Sequence, residues 1–201
     1  MDVVLGRSEA ALEDYLAKLP GKERVRVGCL DLSSTYRSLV PQYFPQARIV
    51  ADRFHVIRLI NHHFLACWRE IHRVGSKHRG LLSLLRRPYW QQFPALREIY
   101  RFKQKLCYLL LKKHRTRKPC MPLVNRFLKA LHELREAKLA QLVQLGPTLA
   151  SWSVEIAMMW RFTRNNGITE GFHTKLEVWQ RQAYGFRNFR NYRLRVRVLC
   201  R

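Results

Sequence analysis

Two acidic residues stand where carboxylates could perform chemistry. Asp31 follows an apolar run, Val25 to Leu30, and open α/β sheets present functional groups at the carboxyl ends of their strands. Glu170 begins a helix pattern within a strongly basic tail. Clustered carboxylates can hold two metal ions about 3.5–4 Å apart, which promote phosphoryl transfer. Because hard Mg²⁺ prefers oxygen ligands, a two-metal magnesium site is one prediction.

A simpler interpretation exists for each acid. Asp31 could cap the helix that follows its strand, and Glu170 could be a first-turn glutamate favoured by the helix dipole. At 100° per residue, Glu170 lies nearly opposite the apolar stripe of its helix. That stripe consists of Phe172, Leu176, Trp179 and Ala183. Spacing alone leaves both interpretations open.

The first quarter of the chain has the pattern of alternating strands and helices. Strands are predicted over 3–5, 25–30 and 47–51, and helices over 8–19 and 35–44. Asp31 and Asp52 come directly after the last two strands. This order predicts a parallel α/β sheet.

Beyond His55 the pattern becomes helical. Helices are predicted over 57–74, 96–111, 123–145 and 149–162, with prolines such as Pro147 as breaks. Near the end, Leu194, Val196 and Val198 alternate with arginines, which predicts a half-buried extended segment with one basic face.

The charge balance points to nucleic acid. The chain of 201 residues has 38 Lys and Arg against 14 Asp and Glu, a net charge of +24. A membrane surface is the alternative, but no apolar run of about 18 residues is present and the first residues do not resemble a signal peptide. Five unpatterned cysteines suit a reducing cytoplasm. The spacing of Cys107, His114 and Cys120 matches no common zinc site.

The basic tail is the predicted DNA-binding surface. Arginine forks bind phosphate oxygens, and aromatic rings can stack on unpaired bases. We expect the aromatic residues Tyr184, Phe186, Phe189 and Tyr192 to be mainly core, with the arginines facing DNA. The DNA-binding candidates are Arg181, Arg187, Arg190, Arg193, Arg195 and Arg197. A second basic stretch, residues 112–118, is either a loop near the DNA backbone or a solvated linker.

Four motifs in order along the chain carry a family resemblance. They are Leu30-Asp31-Leu32-Ser33-Ser34-Thr35-Tyr36-Arg37, Ile49-Val50-Ala51-Asp52-Arg53-Phe54-His55-Val56, Asn166-Gly167-Ile168-Thr169-Glu170-Gly171-Phe172 and Ala183-Tyr184-Gly185-Phe186-Arg187-Asn188-Phe189. With these motifs the chain resembles the DDE transposases of bacterial insertion sequences, specifically the ISL-three family.

The resemblance implies an α/β, RNase H-like fold with a partial sheet and a large helical insertion before the last catalytic helix. It implies three segments: 1–56 as partial core, 57–163 as insertion, and 164–201 as the glutamate helix and basic segment that close the core. Asp31 would be the second catalytic aspartate and Glu170 the catalytic glutamate, both metal ligands. Asp52 and His55 would form the Asp-x-x-His signature. We favour a supporting role for that pair, with the histidine held by the carboxylate, over direct metal ligation.

The glutamate helix matches the family pattern in part. Lys175 fits it and is a further DNA-binding candidate, whereas His173 stands where the family usually has Asn. Glu177 stands near where the family usually has a basic residue. These differences concern local DNA contacts more than the fold.

The resemblance also implies an activity. The intact parent cuts element ends and joins them to target DNA with Mg²⁺, in the bacterial cytoplasm at the nucleoid. The family's first catalytic aspartate lies on an earlier strand, so we expect this chain to bind DNA without catalysing transposition by itself. Possible partners are a second copy or a full-length transposase. The alternative is a non-enzymatic basic DNA-binding remnant that interferes with such a transposase. A nuclease of the same fold would need a third acid near the pair.

Overall fold

The computed structural model describes residues 2–6, 8–71, 94–114, 116–162 and 167–200, without the side chains of residues 71, 94 and 167–170. The chain divides into two compact units, residues 1–49 with 164–201 and residues 50–163. The three-segment division expected from the sequence stays a prediction.

The amino-terminal part of the described chain contains a helix followed by a β-α-β segment. Helix α1 spans Glu9–Ala17, strand β1 Val27–Leu30, helix α2 Ser34–Tyr43 and strand β2 Arg48–Ala51. In the described part of the chain, β1 and β2 form a two-stranded parallel sheet, in which Arg48 N donates to Arg26 O. The two predicted strands and the helix between them are therefore confirmed.

The predicted strand over residues 3–5 is wrong. These residues have no regular secondary structure. Val3 instead packs against a cluster of Leu176, Val196 and Cys200. A short apolar run can bury its side chains on a helix pair as well as in a sheet, so its composition alone does not distinguish the two outcomes. The RNase H-like fold beyond the two-stranded sheet stays a prediction.

After β2, the described residues of the second unit are mostly helical. It contains α3 (Arg53–Ile71), α4 (Pro94–Leu111), α5 (Met121–Arg135), α6 (Ala140–Ser151) and α7 (Ser153–Arg161). A buried hydrogen bond joins two of them: Trp160 Nε1 in α7 donates to the Leu109 carbonyl of α4 at 2.9 Å. The Trp160 ring also meets Phe127 of α5 edge-on, with 5.9 Å between centroids.

The single helix predicted over residues 123–145 is wrong, because the structure contains α5 and α6 there, with a break between Arg135 and Ala140. Pro147, expected to be a break, lies inside α6. Leu142, Leu145 and Leu149 of α6 are buried at helical spacing. Burial of that face stabilises the helix on both sides of Pro147. The proline itself removes only one backbone hydrogen bond, at its own position.

The chain ends in two helices, α8 (Gly167–Gln182) and α9 (Phe189–Leu199). The predicted extended segment at 194–198 is therefore wrong. Val196 is fully buried, whereas Leu194 and Val198 are 62% and 61% exposed, and a half-buried strand would bury all three. Asn188 begins the helix by accepting hydrogen bonds from the backbone N–H of Arg190 and Asn191.

No helix among the described residues is both long enough and apolar enough to span a bilayer.

Candidate metal centre and nucleic-acid interface

Asp52 is a buried carboxylate that begins helix α3. Its side chain is 2% exposed, and Oδ1 accepts a hydrogen bond from the backbone N–H of Phe54 at 2.9 Å. Oδ2 lies 3.3 Å from Nδ1 of His55. A helix N-terminus favours negative charge, so the position of the Asp52 carboxylate at the start of α3 suits an acid. The two residues of the Asp-x-x-His signature are thus close together, and the supporting role of this pair stays a prediction.

Asp31 follows β1 as Asp52 follows β2. Since the strands are parallel neighbours, their carboxyl ends lie at the same edge of the sheet. Asp31, Asp52 and His55 each offer one ligand atom, and these atoms all lie within 4.8 Å of one another. Among the described residues, these three side chains form the group of potential ligands that is close enough to hold a metal ion.

The chemistry of this donor set fits a divalent cation. Carboxylate oxygens suit Mg²⁺ and Mn²⁺, while an imidazole nitrogen suits Zn²⁺ and other transition metals. A histidine whose ring is oriented by a carboxylate is also a common arrangement around bound metals. The structure therefore provides Asp31 with two neighbours that could share an ion.

Glu170 is the predicted partner of Asp31. Its backbone lies in α8, in agreement with the predicted helix, but its side chain lies outside the described residues. The pairing of Asp31 with Glu170 stays a prediction.

The basic tail contains several exposed arginines and two arginines that bind the carboxylate of Asp2. Arg187 and Arg190 are exposed. Arg193 and Arg197 both bind the carboxylate of Asp2, each through two hydrogen bonds of 2.7–3.2 Å. These paired guanidinium groups hold the pKa of Asp2 well below its usual range. No local pattern in the sequence connects residues so far apart in the chain.

The other basic candidates make varied contacts. Arg181 lies 3.7 Å from Glu177 on the exposed face of α8. Arg195 lies over the Phe186 ring, 5.5 Å from its centroid. Lys175 Nζ donates to the Leu199 carbonyl at 2.9 Å, which satisfies a carbonyl at the end of α9. DNA binding by these residues stays a prediction.

The aromatic residues of the tail form a packed group. Trp179 and Phe186 have centroids 5.5 Å apart, and Phe186 and Tyr192 have centroids 5.2 Å apart. Phe189 also contacts Tyr192, at 6.3 Å. Tyr184 differs, because its side chain is fully exposed. Phe186, Phe189 and Tyr192 are therefore partly buried by ring packing, whereas the expectation of a core residue is wrong at Tyr184.

The cysteines do not form a zinc site within the described residues. Cys107 and Cys120 are buried free thiols, and burial raises the pKa of both. A thiol must lose its proton to ligate zinc. Together with His114, they do not form a metal-holding group in the part of the chain that the structure describes.

These features define a basic, mostly helical protein in which two aspartates follow the strands of a small parallel sheet. A family model described as a transposase, that of the ISL3 group of DDE transposases, matches residues 1–86 and 75–196. The two matches together cover nearly all of the 201 residues. The chain belongs to this transposase family.

No curated protein and no solved structure matched the chain significantly.

Proposed function

We propose that this chain acts on DNA during transposition through a divalent-metal centre that contains Asp31 and Glu170. The observation that carries the proposal is the grouping of Asp31, Asp52 and His55 at the end of the sheet, in a chain of the DDE transposase family. When bound, a divalent ion there would supply positive charge to the reacting phosphate and activate an oxygen nucleophile.

The chain's own residues have separate roles in this proposal. Asp31 and Glu170 would hold the ion, and Asp52, whose Oδ2 lies 3.3 Å from Nδ1 of His55, would support the imidazole. Asp52 is buried, and its Oδ1 accepts a hydrogen bond from the backbone N–H of Phe54 in the first turn of α3. Exposed arginines such as Arg187 and Arg190 hold the DNA backbone by contact with phosphate oxygens.

Metal binding and strand transfer test the proposal on the same protein. Titration calorimetry should show a Mn²⁺-binding site. Asp31→Asn should lower its Mn²⁺ affinity about tenfold or more, because a charged carboxylate ligand becomes a neutral amide. Asp14→Asn, which changes an exposed acid of α1, is the matched control and should bind Mn²⁺ like the wild type. Equal Mn²⁺ affinity in wild type and Asp31→Asn would refute the metal centre.

Activity separates the enzyme from the alternative. Mg²⁺-dependent joining of a short DNA duplex to a plasmid, abolished by Asp31→Asn and by Glu170→Gln, would establish a catalytic chain. DNA binding without joining would agree with the expectation that this chain does not catalyse transposition by itself, and Mn²⁺ binding that depends on Asp31 would then distinguish a transposase metal centre from a non-enzymatic DNA-binding protein. The net charge of +24 predicts DNA binding in either case.

A further inference from the structure

Tyr184 is the exposed aromatic residue of a segment whose other rings pack together. Its side chain is fully accessible to solvent, at 100%, while Phe186 and Tyr192 pack on each other. The structure therefore separates aromatic residues that the sequence pattern placed in a single group. The Tyr184 ring gains little from packing within its own chain.

The backbone at Tyr184 is also unfavourable for its residue type. Its φ angle is +51°, in the left-handed region, and Gly185 follows with a φ of +91°. The turn ends α8 with hydrogen bonds from Tyr184 N to Arg181 O and from Gly185 N to Gln180 O. Glycine or asparagine suits such a position better than a bulky residue. Strained residues of this kind cluster at binding sites.

The positive charge around this turn indicates which kind of ligand the Tyr184 ring could contact. Arg181, Arg187 and Arg190 lie within six residues of Tyr184 and are exposed, and no acid follows Glu177 in the chain. A duplex DNA surface would satisfy the arginines but offers few exposed base faces. A strand with unpaired bases offers phosphates and flat rings together.

We propose that Tyr184 stacks on an unpaired base at a DNA end while the neighbouring arginines bind the adjacent phosphates. The inference rests on the proposed function, because it assigns the kind of DNA that this surface recognises. Every base has a π-face, so any base can stack on the ring. The contact therefore depends on whether the base is unpaired and not on the DNA sequence.

Two DNA probes of the same duplex sequence test the contact, one blunt and one with a four-nucleotide single-stranded end. A 2-aminopurine at the first unpaired position reports stacking through its fluorescence. We expect wild type to quench this fluorescence and to bind the overhang probe more tightly than the blunt one. Tyr184→Asn should weaken overhang binding about 5- to 100-fold, leave blunt binding within about twofold, and abolish the quenching. Tyr184→Phe should behave like the wild type.

The matched control is Tyr108→Ala in α4. Tyr108 is 68% exposed and has a lysine, Lys112, 5.1 Å from its ring centroid, but its backbone is helical. This variant should keep the preference for the overhang. Equal weakening of blunt and overhang binding by Tyr184→Asn, or quenching that persists in it, would overturn the proposal. If wild type binds neither probe, the proposed function itself fails.

A stability measurement excludes misfolding as the cause. Because asparagine tolerates a left-handed backbone better than tyrosine, Tyr184→Asn should melt at the same temperature as wild type or slightly higher. A variant that is at least as stable yet loses overhang binding shows that the ring serves a ligand. A clear fall in melting temperature would show that Tyr184 supports the fold and would contradict the inference.

Discussion

At the scale of single residues, Asp2 is the acid with the strongest described ion pairs. It binds Arg193 and Arg197 of α9, while Val3 beside it enters the cluster formed by α8 and α9. One carboxylate thus neutralises part of the positive charge of two arginines. It also attaches the start of the described chain to its last helix. Two of the arginines predicted to bind DNA therefore have a protein partner, which leaves them less free to bind phosphate.

Asp2→Asn should lower the stability of the protein at neutral pH by about 1–2 kcal/mol, because charge-assisted hydrogen bonds are lost. The arginines lower the pKa of Asp2 below its ordinary 3.8. The stabilisation is therefore complete above about pH 4 and decreases as the pH falls further. Thermal unfolding of both proteins between pH 7 and pH 2.5 should show the difference shrinking at the acid end.

Asp14→Asn provides the control for this pH dependence, since Asp14 is an exposed acid of α1. Its melting temperature should follow that of the wild type at every pH. A constant gap between wild type and Asp2→Asn down to pH 2.5 would be inconsistent with the ion pairs.

At the scale of elements, Trp160 links α7 to α4 by a hydrogen bond in the helical unit. Its indole N–H donates to the Leu109 carbonyl, and the backbone N–H of His114 donates to the Trp160 carbonyl at 2.7 Å. Arg53 of α3 also donates to a carbonyl of α7, that of Met159, at 2.7 Å. Helix α7 is thus linked by hydrogen bonds to the start of α3, directly after Asp52.

Trp160→Phe should destabilise the helical unit by about 2 kcal/mol, because it leaves the Leu109 carbonyl without its donor and removes buried ring volume. Circular dichroism during urea unfolding measures the loss. Val154→Ala on the same helix removes a side chain that is 63% exposed and should change stability by less than about 0.5 kcal/mol. Similar losses in the two variants would contradict the assigned role of Trp160.

At the scale of the whole molecule, the net charge of +24 predicts DNA binding that weakens steeply with salt. Each phosphate contact contributes about 0.9 to the slope of log K against log salt concentration. The slope therefore counts the contacts that the arginines make. It also distinguishes arginines that bind phosphate from arginines that remain paired with Asp2.

Replacing Arg187 and Arg190 by glutamine should reduce this salt slope by about 2, since both are exposed. The same change at Arg193 and Arg197 removes equal charge, but should reduce the slope by less than about 1 because Asp2 binds both. Fluorescence anisotropy from 50 to 300 mM salt measures both slopes. Equal reductions would mean that DNA displaces Asp2 from its arginines.

The sequence by itself determined the basic character, the family motifs and the local elements. The β-α-β segment and most of the helices follow from hydrophobic periodicity, a local property that each segment carries alone. Asp31 and Asp52 were recognised as strand-end acids because they directly follow apolar runs.

Only the tertiary structure decided which residues face one another. Val3 packs against the cluster that contains the buried side chain of Val196. Helix α9 forms despite the alternating pattern of its sequence, because packing against α8 buries residues at helical spacing. The ion pairs of Asp2 and the exposure of the Tyr184 ring likewise depend on contacts between distant parts of the chain. Such contacts leave no periodic signal in the sequence, so the sequence shows which groups are present and the fold decides which of them meet.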